Sequence, residues 1–390
     1  MTEHGSRKAV RRFERQVREN RGDRRAPQAL HFGPNQYIAQ TQPGFEEIAD
    51  DEILARVRGA REVGARVVPE RCGMAIFSAP DTAALARLRC AEDLFSLVGY
   101  RAGPNPEEVT PDRIRAAARD APLVEAGVMA RVRFDPKARG GRRLRYRVVA
   151  RQAGEHRFRR IDLQHAIERG IAERADHTWR LDDLNADVEF WATMFEAELL
   201  LAIRLSSEPM RHREYKVAHR PASLRPAVAA ALGWLAGVNE RDVVLDPFCG
   251  AGTILIERAN LGRYAELIGS DRDSDALAAA RLNVGHRYQP IRLEQWDAAA
   301  LPLSDASVTK IITNLPWGMR YGSHGENRKL YPAWIAEFNR VLAPGGRMVL
   351  LSAEWTLMRE MAARRRLAVE KTLRVTILGA RASIFICRKA

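Results

Sequence analysis

An amide, a proline and an indole follow one another at the end of an apolar run, where residues 308–317 read VTKIITNLPW. Val308 to Thr313 is the β-branched type of segment that suits a buried parallel strand, and Pro316, with no N–H to give a ladder, stops it. Asn314, Leu315, Pro316 and Trp317 therefore stand where a strand ends and the chain turns. Two readings are open: a strand cap with a packed indole, or a slot for a flat molecule edged by amide and carbonyl acceptors.

Three other apolar runs also end on residues that can do chemistry. DVVLDPFCGAGT ends on Asp246 and turns through Gly250 and Gly252. The third glycine of a dinucleotide fingerprint is missing, which disfavours a pyrophosphate. Two glycines let a ligand approach the backbone, and a carboxylate beside them suits an ammonium or sulfonium group. ELIGSD ends on Asp271, an acid placed to accept from ribose hydroxyls. IRLEQWD ends on Asp297, placed to accept from an adenine amino group. One acid at a strand end serves equally well as a helix cap. Three at successive strand ends, the first with a glycine turn, read as a binding site.

Such residues converge only if their strands are parallel and adjacent. From about Tyr215 the chain supplies that, because apolar strands alternate with helical segments such as GAGTILIERANLG, SDALAAARLNVGH and ENRKLYPAWIAEFNRVL. This rhythm predicts a doubly wound sheet with ligands at the carboxyl ends of its strands. LAVEKTLRV and ASIFICRK, closely joined, predict an antiparallel edge hairpin.

Upstream, residues 30–210 mix short strands and helices, the pattern of an α+β region of two small modules. A first strand is expected over Tyr37–Gln40, then a helix burying Phe45, Ile48, Ile53, Leu54 and Val57. A further helix is expected over Asp81–Phe95, a strand over Ala126–Asp135 and another strand in RRLRYRVVARQ.

Charge is concentrated rather than even. The net charge is +14, a balance that favours a polyanionic partner. Residues 1–27 hold nine Lys/Arg and read as a basic flexible arm. Residues 131–160 hold twelve, against only Asp135 and Glu155. Within them Arg143, Arg145 and Arg147 alternate with Leu144, Tyr146 and Val148, so a strand puts the arginines on one face. With Arg157, Arg159 and Arg160 nearby, that face reads as phosphate-binding, with a solvated sheet face as the bland alternative.

Cys72, Cys90, Cys249 and Cys387 show no paired spacing and the nine histidines no ligand spacing, which disfavours disulfides and a metal site. No run nears the ~20 apolar residues of a membrane span. The charged amino terminus is unlike a signal peptide, so a cytoplasmic protein is expected.

DPFCGAGTILIE, GSD, WDAAALPL and NLPWG, in this order, resemble the motifs of class I S-adenosylmethionine-dependent methyltransferases, specifically those acting on exocyclic amino groups of bases. HRPASLRPAVAAALGWLAG is similar to the segment before the first strand in THUMP-containing RNA guanine methyltransferases. The resemblance implies a Rossmann-like class I methyltransferase sheet at residues 215–390, a ferredoxin-like module at 31–100 and a THUMP-like RNA-binding domain at 101–205. It implies S-adenosylmethionine as cofactor, held by Ser223, Asp246, Phe248, Gly250, Gly252, Thr253, Asp271, Arg272, Asp297, Ala298 and Asn314.

It further implies that Asn314 and a carbonyl at Leu315 or Pro316 accept from the amine while Trp317 stacks on the base. Leu315 stands where the family's N-P-P-[YFW] motif has its first proline, so the turn lacks one ring restraint. The expected reaction is methylation of the guanosine 2-amino group in tRNA. The alternatives are the same reaction on ribosomal RNA, or a non-catalytic RNA-binding protein with a vestigial cofactor site.

Overall fold

The computed structural model describes residues 30–389 apart from 104, 222, 318–323, 365 and 366. The basic arm expected at residues 1–30 lies outside the described residues except for Leu30. The chain divides into two compact units, with the break between Met210 and Arg211.

The first unit contains strands β1 (Gln36–Thr41), β2 (Arg61–Val68), β3 (Cys72–Ser78), β4 (Asp93–Ala102), β5 (Arg145–Ala153), β6 (Arg180–Leu181), β7 (Val188–Phe195) and β8 (Glu198–Arg204). Its helices are α1 (Glu46–Arg56), α2 (Pro111–Arg119), α3 (Val124–Phe134) and α4 (Arg160–Arg174). The strands make one sheet in the order β2-β3-β1-β4-β8-β7-β5-β6. The module boundary expected near residue 100 thus coincides with a strand pairing, since β4 and β8 are antiparallel neighbours from Phe95↔Arg204 to Ala102↔Glu198. Five successive buried residues, Leu199–Ile203, give β8 no alternation by which the sequence could have marked it.

Three local expectations are corrected here. Residues 126–135 are helical rather than extended, lying within α3 and its C-cap. Gly127 explains the fit, because a Cβ there would stand 2.5 Å from Val98 Cγ1, so the missing side chain lets the helix lie on the sheet. Asp81–Phe95 is not one helix but a short 3-10 turn, Ala83–Arg87, followed by β4. The buried Glu52 carboxylate accepts from the N–H groups of Arg89 and Cys90 at 2.9 and 2.7 Å and so holds this segment out of a helix. Leu54 is 47% exposed, whereas its four expected partners on α1 and at its two caps are buried.

The second unit holds β9 (Val243–Asp246), β10 (Glu266–Ser270), β11 (Ile291–Glu294), β12 (Val308–Asn314), β13 (Leu342–Ser352), β14 (Ala368–Ile377) and β15 (Ala380–Arg388). After the short α5 (Glu208–Arg211) at the break come α6 (Pro226–Ala236), α7 (Thr253–Leu261), α8 (Ser274–Val284), α9 (His324–Val341) and α10 (Trp355–Arg364). The order is β11-β10-β9-β12-β13-β15-β14. The first five strands pair in parallel, and β15 runs antiparallel to both β13 and β14, so the expected edge hairpin is present. Strand order reverses between β9 and β12, the switch point where such sheets open a crevice. Beneath it Leu245, Ile311, Leu315, Phe338, Leu350 and Phe385 pack in one core.

Candidate active site

β9 and β12 pair with Lys310 beside Val244 and Ile311 beside Leu245, so Asp246 comes level with Ile312, and Thr313 and Asn314 follow directly after it across the switch point. The two strands are joined there, since the Thr313 hydroxyl donates to Asp246 Oδ1 at 2.7 Å. The Phe248 N–H donates to the same oxygen at 3.2 Å. Asp246 is 1% exposed, and burial pushes its carboxyl up to about 7 despite these donors. A half-neutral acid at the mouth of a crevice is a group that a cation would convert to its charged form.

The turn after Asp246 is held from the next strand. Gly250 N–H donates to Asp271 Oδ2 at 2.9 Å, and Asp273 N–H to Oδ1 at 3.0 Å. Gly250 has φ +52 and open space where a Cβ would be, and Gly252 has φ +77 against Ala280 of α8. Thr253 opens α7, and its hydroxyl lies 3.3 Å from Ser223 Oγ. Arg272 is exposed, and its carbonyl accepts from Gln295 Nε2 at 3.0 Å.

Asp297 does not end a strand. β11 stops at Glu294, and the exposed Asp297 accepts the Ala299 N–H at 2.9 Å in the turn beyond it, with Ala298 buried. Phe248 packs edge-on to Trp334 at 4.8 Å, as a core residue under the turn. The site residues expected at Asp246, Gly250, Gly252, Thr253, Asp271 and Asn314 are thus brought together by two turns and one hydrogen-bonded strand pair, with Asp297 at the far side on β11's trailing loop.

At the acceptor turn the indole N–H of Trp317 donates to Asn314 Oδ1 at 2.9 Å. The amide oxygen retains a second lone pair, so the turn carries both the acceptor and the tethered ring. Leu315 N–H donates to Leu351 O at 2.9 Å, a bond that proline at this position could not make. The ring restraint missing from the sequence is therefore replaced by a ladder bond to β13. Pro316 carbonyl oxygen is already occupied, accepting from Tyr331 OH at 2.8 Å and Asn327 Nδ2 at 3.1 Å.

Sequence reasoning missed Thr313, although it directly precedes the motif, because a hydroxyl inside a strand signals nothing until its neighbour is known. Asn283 was missed as well. Buried on α8, it accepts the Ala218 N–H and donates to the carbonyls of Ala218 and Ala251, tying the segment before α6 to the glycine turn.

In the first unit the expected arginine face exists, but it is not bare. Arg145 and Arg147 share one face of β5 while Tyr146 and Val148 are buried on the other, and the exposed Arg143 lies just before the strand. Arg145 forks onto Asp187 at 3.0 and 3.1 Å and Arg147 reaches Glu189 at 2.6 Å. Arg157 faces Glu107 at 3.1 Å, Arg159 faces Asp162 at 3.2 Å, and Arg160 is 3.5 Å from Gln164. Folding brings in acids from outside the 131–160 stretch, which a count along the chain could not see.

Among the described residues no cluster of three His, Cys, Asp or Glu is arranged to hold a metal ion, and no helix is long and apolar enough to cross a membrane.

The sheet that reverses at a glycine turn, with an amide-ended strand beside it, lies within residues 213–383, which match the family described as RMKL-like, methyltransferase domain. The chain is similar to proteins named as tRNA guanine-N2 methyltransferases and as U6 snRNA guanine-N2 methyltransferases. It is 33% identical over 245 residues to tRNA (guanine(6)-N(2))-methyltransferase THUMP3 of Mus musculus, an alignment covering 59% of this chain and 47% of that protein. It is 32% identical over 216 residues to tRNA (guanine(6)-N2)-methyltransferase of Thermus thermophilus, covering 55% of this chain and 64% of that one. The crystal structure of TrmN from Thermus thermophilus superimposes with a TM-score of 0.71 at 26% identity, over 91% of this chain and 99% of that chain. The chain spans about half the length of the mammalian relatives it matches.

Proposed function

We propose that this chain is an S-adenosylmethionine-dependent methyltransferase that modifies the exocyclic 2-amino group of a guanosine in tRNA, in the cytoplasm. The observation that carries the reading is the Thr313–Asp246 hydrogen bond, which joins the acceptor turn to the glycine turn at the switch point. The likeness to tRNA guanine-N2 methyltransferases along most of the chain supports tRNA as the substrate.

The site fits such a cofactor by its own chemistry: a buried carboxyl with no cation beside it among the described residues, and backbone open to close approach at Gly250. When bound, S-adenosylmethionine supplies an electrophilic methyl group on a sulfonium. Asp246, Phe248, Gly250, Gly252, Thr253 and Ser223 would hold its amino-acid end, Asp271 and Arg272 the ribose, and Asp297 and Ala298 the adenine.

The remaining work falls to the turn after β12. The lone pair of a guanine amine is delocalised into the ring, so the amine is a poor nucleophile. Asn314 Oδ1 accepts one of its hydrogens and the Leu315 carbonyl, covered in the free chain, the other once the base enters, since the Pro316 carbonyl is engaged. Two fixed acceptors favour a pyramidal nitrogen and stabilise its developing positive charge. Trp317, tethered to Asn314, provides a face for the base, and stacking contributes roughly 1–3 kcal/mol. A guanosine within a stem must leave its stack to reach this turn.

The direct test is incubation with total tRNA and labelled S-adenosylmethionine followed by nucleoside mapping. Label in 2-methylguanosine is the expected result; label in another nucleoside, or none, would overturn the reading.

Two further outcomes are expected. The free-site Asp246 titrates near 7, and a cationic ligand binds its carboxylate form. Cofactor affinity therefore rises with pH up to about 7, and falls again once the ligand's own amino group, with an ordinary pKa of about 7.7–8.0, loses its proton. Calorimetric titration across pH 5.5–9 reads this, and Asp246→Asn should remove the acidic limb. Replacing Arg143, Arg145 and Arg147 together by Ala should weaken tRNA binding and make the slope of log K against log salt shallower by up to ~0.9 per lost phosphate contact. An unchanged slope would leave the ion-paired face a structural one.

A further inference from the structure

The chain gives the acceptor turn a support that its motif does not contain. Three buried side chains converge behind Pro316: Asn327 and Tyr331 of α9, 2% and 0% exposed, and Ser352 at the end of β13, 0% exposed. Tyr331 OH lies 2.8 Å from the Pro316 oxygen and 2.9 Å from Ser352 Oγ. Asn327 Nδ2 lies 3.1 Å from the same Pro316 oxygen and 2.9 Å from Glu354 Oε1. Glu354 N–H donates to Ser352 Oγ at 2.9 Å.

The hydrogen inventory leaves one arrangement. A carbonyl can only accept, so the single Tyr331 proton goes to Pro316, and Ser352 must then donate to the Tyr331 oxygen while accepting from Glu354 N–H. The two N–H bonds of the Asn327 amide have two acceptors, Pro316 and Glu354. Burial raises the Tyr331 phenol well above its ordinary range, so it stays a donor throughout the working pH range. A fully satisfied buried network of this kind holds one geometry.

We propose that Tyr331 and Asn327 are positioning residues for the amine: by holding the Pro316 carbonyl into the core, they fix the peptide that leaves Leu315's carbonyl and Asn314's amide to the substrate. The inference rests on the reading of the preceding subsection. The turn is then clamped at both ends, by Leu315 N–H on Leu351 and by Pro316 O on α9. Because misplacing a reacting group by about 1 Å can cost roughly 100-fold, the clamp should register in turnover.

The test uses the full chain with tRNA and S-adenosylmethionine, with the amount of folded enzyme fixed by cofactor titration. Activity of the unaltered protein on guanosine is established first; its absence would overturn the function and not reach the clamp. Tyr331→Phe, which keeps the ring, is expected to lower kcat about 10- to 100-fold with cofactor Kd and the KM for tRNA unchanged. Ser352→Ala, which frees the Tyr331 hydroxyl, should lower it in the same direction and serves where Tyr331→Phe folds poorly. In an Asn314→Ala background the Tyr331→Phe effect should shrink, because one of the two groups being positioned is gone. Full kcat in both single variants, or an equal loss in either background, would overturn the proposal.

Discussion

Asn314→Ala is expected to lower turnover about 100- to 1000-fold while cofactor affinity stays within about twofold. The scale is that of removing one preorganised group from a transition-state cradle. Asn314 is the last residue of β12, and its neighbour Thr313, not Asn314 itself, touches Asp246. The substitution therefore removes an acceptor for the amine without disturbing the contact that ties β12 to the cofactor turn. It also releases the Trp317 indole N–H from its 2.9 Å bond, so part of the loss should appear as a weaker KM for tRNA. Asn314→Asp separates the two effects, because a carboxylate keeps an oxygen for the indole and the amine while adding charge. Single-turnover assays with saturating cofactor read the chemical step; a rate equal to the unaltered protein's would remove Asn314 from the mechanism.

The second large effect is expected at Asp271. Asp271→Ala should weaken S-adenosylmethionine binding by ~100-fold, since hydrogen bonds to a charged group are worth roughly 1.5–3 kcal/mol each and 1.4 kcal/mol is tenfold in affinity. Two losses coincide there. The ribose hydroxyls lose their acceptor, and Gly250 N–H loses the carboxylate that fixes the glycine turn at 2.9 Å. Asp271→Asn should fall between, because its amide oxygen can still take the Gly250 N–H. At saturating cofactor the turnover of Asp271→Ala should recover to near the unaltered value, since the residue lies on β10's trailing end and not at the amine. An affinity unchanged in calorimetry would contradict the ribose assignment.

These expectations draw on different levels of the molecule. The alternation of apolar strands and helices after Tyr215, the acids at Asp246 and Asp271, the turn through Gly250 and Gly252 and the stop at Pro316 are all local signals, carried by side-chain chemistry over a few residues. They were legible because period, turn propensity and a missing N–H act on the chain where they stand. The closing antiparallel hairpin was legible for the same reason.

What depended on tertiary structure was every question of which distant groups meet. The run 126–135 looked extended until Gly127 let it lie as a helix against Val98, and the buried run of β8 had no period to betray it. The arginines of β5 looked unopposed because Glu189 of β7 and Asp187 just before it enter from some forty residues later. Leu315 looked like a weakened turn until β13 offered Leu351 O to its N–H, and Pro316 looked like a free acceptor until α9 filled it. Residue types and their spacing by themselves determined what chemistry the two turns can perform. Only the packed sheet decided which oxygens remain open to perform it, because a hydrogen-bonding group's availability is fixed by partners that the chain brings from afar.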